Sequence, residues 1–172
     1  MAPATHIQAA GVLLIGFERR STPEVAEKIA AEAGYNSSPF FGAAKARARL
    51  LSELVIVNAA LMIVAVNQAF DSPDAKAIID LFLAGARESV FTHIERRDAT
   101  FKSRYEQGLA EYFRAVAERN PGVAVSFCFI RNLGLDPLKR VDAQVSVAKR
   151  LGETLSSTIA MLKTMQIVRA PK

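Results

Sequence analysis

Apolar residues in this chain recur at intervals of three and four over long stretches, and prolines standing directly after an oxygen-bearing side chain separate those stretches. A helix tolerates proline at its first position, where the missing N–H has no intrahelical partner, and a preceding Ser, Thr, Asp or Asn offers an acceptor to the free amides of the first turn. Thr22-Pro23, Ser38-Pro39, Ser72-Pro73, Asn120-Pro121 and Asp136-Pro137 therefore predict five helix starts. Gly34, Asn120 with Pro121, and Gly134 supply stops. The pattern predicts an all-α fold, a bundle of six to seven helices.

Two uninterrupted runs, 39–70 and 137–168, would each form a rod of about 45 Å at ~1.5 Å per residue. Between Leu54 and Val66 the first is apolar around nearly its whole circumference apart from Asn58, which predicts a central helix enclosed by the others. The long C-terminal helix carries Leu138, Val141, Val145, Ala148, Gly152, Leu155, Ile159 and Leu162 on one stripe, which fits either packing within the monomer or a homodimer seam. Ile78, Phe82, Val90 and Ile94, then Phe101, Tyr105, Leu109, Tyr112 and Val116, predict a helical hairpin whose turn, 95–98, is capped by Asp98. Gly11–Phe17 and Val123–Ile130 are short apolar runs that strands could also claim. Both are read as helical, because an isolated strand pair is marginal and Asn120-Pro121 starts a helix. The loop-like Tyr35–Ser38 sets off a small N-terminal module, 1–51, from a bundle domain, 52–172.

With 51% hydrophobic and 23% charged residues, 9 Gly and 7 Pro in 172, disordered and low-complexity architectures are excluded. The apolar run 54–66 is shorter than the ~20 residues that span a bilayer, and no basic residue precedes the run 11–17, so neither a membrane span nor a secretory leader is expected. The single cysteine, Cys128, points to a reducing, cytoplasmic setting. Two histidines cannot build the common zinc sites, and neither lies three residues after a glutamate as di-iron bundles require, so no metal is expected. His93 reads as a polar residue near a helix end. Cys128, between Phe127 and Phe129, reads as a buried thiol with a raised pKa. There is no phosphate-binding loop, nucleophile elbow or dinucleotide fingerprint, so neither a catalytic residue nor a cofactor is expected. Asn58 needs partners wherever it is buried, and would fix helix register or, with Met62, line a ligand pocket.

The net charge of +5 favours acidic partners. Lys45 and Arg47 belong to the one basic cluster without nearby acids. Here the segment 29–54 resembles the helix-turn-helix of tetracycline-repressor-type transcription regulators, through Ile29-Ala30, Ala33-Gly34, Phe40-Phe41, Arg47 and Leu50 at the family's intervals, with Ala9-Ala10 in the preceding helix. Pro39 and Ala44 depart from the pattern. The resemblance implies that Asn36, Ser37 and Ser38 face a groove of double-stranded DNA and that Lys45 and Arg47 hold its phosphates. It also implies a bundle that binds a small apolar effector and a homodimer through the C-terminal helix. The alternative is a homo-oligomeric interaction or scaffold protein, or a subunit of a larger assembly, with neither DNA binding nor enzymatic activity.

Overall fold

A computed structural model describes residues 4–32 and 43–165, and 87% of the described residues are helical, with no strand among them. Helix α1 spans Ala4–Arg20, α2 Pro23–Glu32, α3 Ala43–Ala69 and α4 Ser72–Ala86. A π-helical segment, Arg87–Phe91, carries α4 without interruption into α5, Thr92–Glu95. There follow α6 (Phe101–Val116), α7 (Pro121–Asn132), a 3-10 turn (Pro137–Lys139) and α8 (Val141–Lys163). Counting α4 to α5 as one rod, seven rods are described. Both ambiguous apolar runs are helical, in α1 and α7.

The expected proline starts hold for α2, α4 and α7, with differences in capping, while Asp136-Pro137 starts a 3-10 turn instead of the expected long helix; Ser38-Pro39 lies outside the described residues. Thr22 Oγ1 accepts from the Val25 N–H at 3.3 Å and Asp136 Oδ1 from the Leu138 N–H at 3.0 Å. Asn120 makes no side-chain cap, and at α4 the cap position falls on Asp71, also without a side-chain bond. The rod expected over 137–168 is broken: Pro137 starts only a 3-10 turn, and Arg140, at φ −132° and ψ 47°, leaves helical geometry before α8 begins.

Helix α3 is the axis of the fold. Every residue from Leu50 to Ile63 is buried, and the other helices surround it: α1 packs on α4, α6 on α7, α7 on α8, and α3 touches them all. By length and composition α3 could cross a membrane, yet 83% of its most apolar stretch is buried inside the protein. Each fully buried Leu, Ile or Val contributes about 1.5–3 kcal/mol, so this helix organises the core. Gly108 lets α6 approach it: a Cβ there would lie 2.8 Å from Ile56 Cγ2.

Three expectations need correction. The boundary at 51/52 falls inside unbroken α3, and Ala9, Leu13, Phe17, Ala26 and Ile29 of α1 and α2 belong to the same core cluster as the later helices. The hairpin over 73–119 is open, because α4 lies chiefly on α1, and α6 on α3 and α7. Its two arms meet near the turn, where Phe91 packs on Phe101 and Tyr105 with ring centroids 5.6 and 4.9 Å apart. Within the first arm Phe91, not Val90, is buried. The core positions Ile78, Phe82 and Ala86 step by four, the next step to Phe91 is five, and the π-helical turn absorbs the extra residue.

Candidate functional site

The sequence-predicted residues fall in separate places. Asn36, Ser37 and Ser38 lie outside the described residues. Lys45 and Arg47 stand exposed on the first turns of α3, with Arg47 Nε 4.0 Å from Glu27 Oε1 and both side chains more than 60% exposed, a spacing that contributes little in water. Together with Arg97 they border a cavity of about 670 Å³ whose apolar wall includes Leu50, Leu51 and Ile94.

Asn58 and Met62 are one turn apart on α3 but serve different surroundings. Asn58 Nδ2 donates to the Arg20 carbonyl at 3.0 Å and to Ser21 Oγ at 3.2 Å, so the amide fixes where the chain leaves α1 against α3. It also lines a cavity of about 330 Å³ with Arg150 and Thr154. Met62 does not line that cavity. It sits in the core, with Thr158 Oγ1 4.0 Å from its sulfur.

The densest polar assembly was not predicted from the sequence. Glu53, on the central helix α3 and 3% exposed, accepts from Tyr112 Oη at 2.5 Å and from Asn132 Nδ2 at 2.9 Å through the same oxygen. Its other oxygen lies 3.6 Å from Arg104 Nη1. Arg104 Nη2 donates to Asp98 at 2.6 Å, and Ser52 Oγ donates to the same Asp98 oxygen at 2.8 Å. Beside them Glu111 accepts from Gln107 at 3.0 Å on one oxygen, and from Arg131 and Asn132, both at 3.2 Å, on the other. Arg49 donates twice, at 3.2 and 2.7 Å, to the Asn132 carbonyl, capping the C-terminal end of α7. Three helices thus meet around a polar cavity of about 240 Å³.

Burial works against ionising Asp98 and is the largest single influence on it, but hydrogen bonds from Thr100 and Ser52 and the charge of Arg104 together hold its carboxyl below the ordinary value. Burial opposes Glu111 in the same way and is outweighed by Gln107, Asn132 and Arg131. The Tyr112 hydroxyl, fully buried and beside Glu53, stays protonated far above neutrality and acts as a donor. Burial pushes the Cys128 thiol up to about 11, as the apolar neighbours in the sequence predict. His93 is exposed on the short α5. No group of three or more His, Cys, Asp or Glu side chains able to hold a metal occurs among the described residues. The one forewarning in the sequence was Glu53 itself, a carboxylate at the edge of a run that is apolar apart from Asn58; its partners Tyr112 and Asn132 lie 59 and 79 residues away.

The chain matches no protein-family model, curated protein or solved structure.

Proposed function

We propose that the protein is a helical interaction protein that self-associates through the N-terminal half of α8. The supporting observation is a mismatch of phase along that helix. Its core face is Ala143, Val147, Leu151, Thr154, Thr158 and Leu162, with Thr154 and Thr158 satisfied by the carbonyls four residues back. The apolar stripe starts on another face, so Leu138, Val141 and Val145 are 79, 58 and 64% exposed while threonines occupy the core. Val141 and Val145 stand one turn apart on α8 and Leu138 on the 3-10 turn before it, and large apolar side chains left to solvent in one short stretch suit an interaction surface.

The occupant that fits is a second copy. In an antiparallel pair of α8 helices crossing between Val145 and Ser146, Asp142 of one copy lies opposite Lys149 of the other, and two-fold symmetry repeats the pair. Sedimentation over a dilution series should show a monomer–dimer equilibrium that Val145→Glu shifts at least tenfold towards monomer. Asp142→Lys and Lys149→Asp should each weaken the dimer, and the two together should restore it. A strict monomer at high concentration overturns the reading.

The DNA-binding reading draws its support from the exposed Lys45 and Arg47 with Arg97 nearby. It requires band shifts on duplex DNA at low salt that fade steeply as salt rises and are weakened by Lys45→Gln and Arg47→Gln together. No shift at low salt removes it.

A further inference from the structure

We propose that the polar cavity where α3, α6 and α7 meet is a binding site for a small oxyanion, a carboxylate or phosphate borne by a molecule of metabolite size. Arg49, Arg104 and Arg131 line the cavity with Glu53 and Glu111. The carboxylates are already provided for. Glu53 holds Tyr112 and Asn132 on one oxygen and faces Arg104 with the other. Glu111 holds Gln107 on one oxygen and Arg131 with Asn132 on the other.

The guanidinium groups are not used up. Each carries five N–H donors. Arg49 spends Nε and Nη2 on a neutral carbonyl, Arg104 spends Nη2 on Asp98 and turns Nη1 towards Glu53, and Arg131 spends Nη2 on Glu111 and the Cys128 sulfur. Among the described residues, Arg49 Nη1, Arg104 Nε, and Arg131 Nε and Nη1 make no hydrogen bond. A ligand entering this space meets guanidinium donors that no described residue occupies, and a ligand bearing ionised acceptor oxygens would make the stronger, charge-assisted bonds to them.

The surroundings favour such a ligand further. The Arg104 side chain is only 25% exposed and the floor, Glu53 and Gly108, is buried, so a bound anion is partly withdrawn from water and its attraction to the guanidinium groups is less screened. The volume of about 240 Å³ gives room for a phosphate or a short dicarboxylate. The residues already in place fix the guanidinium planes before the ligand arrives, which lowers the entropy lost on binding.

Titration calorimetry and thermal unfolding with inorganic phosphate and with succinate, at constant ionic strength maintained by chloride, test the site and tell the two oxyanion sources apart. Saturable binding of at least one probe is expected, with a rise in Tm that chloride does not reproduce. Arg131→Gln, at a half-exposed position, and Gln107→Glu, which places a negative charge at the exposed rim, should each weaken binding tenfold or more. Lys163→Gln, far along α8, should leave it unchanged. Failure of both probes to bind, equal stabilisation by chloride, or unaltered affinity in both cavity variants with native circular dichroism overturns the proposal.

Discussion

Glu53 is the residue whose environment demands most explanation. A carboxylate inside a protein is costly unless its oxygens are occupied, and here a tyrosine, an asparagine and an arginine from two other helices occupy them. Tyr112→Phe keeps the ring in the core and removes only the donor. It should lower stability by about 1–3 kcal/mol in urea unfolding, because the acceptor it leaves behind stays buried. Cys128 makes a second prediction at this scale. With its thiol pushed up to about 11 and the residue 5% exposed, it should react with a disulfide reagent at pH 8 only at the rate of local opening, and rapidly once urea unfolds the chain. The sequence made the thiol legible, since two flanking phenylalanines announce its burial. Glu53 was not legible in the same way, because what makes it tolerable comes from α6 and α7, and no local pattern encodes a partner 59 residues away.

At the scale of elements, proline and its preceding oxygen marked helix starts well, because that chemistry is local. Periodicity fared less well where more than one face of a helix is apolar. On α8 the stripe of three and four was real, but the monomer buries a neighbouring face bearing Thr154 and Thr158, and spacing alone does not say which face a partner helix will take. Glycines give a paired test of how tightly the rods are set. Gly108→Ala gains up to ~1 kcal/mol of helix propensity but drives a Cβ to 2.8 Å from the stiff Ile56 side chain, and the resulting overpacking of about 1–3 kcal/mol should leave a net loss. Gly11→Ala, inside α1 with nothing within 4 Å of the new Cβ, should instead stabilise by about 0.5–1 kcal/mol.

For the molecule as a whole, a buried axis enclosed by other helices means that the peripheral rods are tied to one another by polar contacts as well as through the core. His6 Nε2 meets Asp74 at 3.0 Å between α1 and α4, Glu32 meets Arg150 and Ser146 between α2 and α8, and Asp98 joins α3 to α6. The carboxyls of Glu32, Asp98 and Glu111 all lie below their ordinary values. Groups of this kind contribute stability that is fully present above their unfolded-state pKa and is lost as pH falls through the folded one. Stability should therefore hold from neutrality down to about pH 5 and then drop as these carboxyls protonate, and Asp98→Asn should flatten that drop in a series of urea titrations. The all-helical architecture and the enclosed axis were legible because they follow from composition and circumference. The division at 51/52 was not, since α1 and α2 are bound into the common core by contacts from α3, α4 and α8. In a regular helix Phe91 would sit about 140° around from Ala86, and the π-helical segment brings it back to the core while leaving Ser89 Oγ buried without a partner. Deleting Ser89 would restore a four-residue step from Ala86 to Phe91, so the rod should accept the loss of that one residue with its core face still in register, which thermal unfolding of the deletion variant would check.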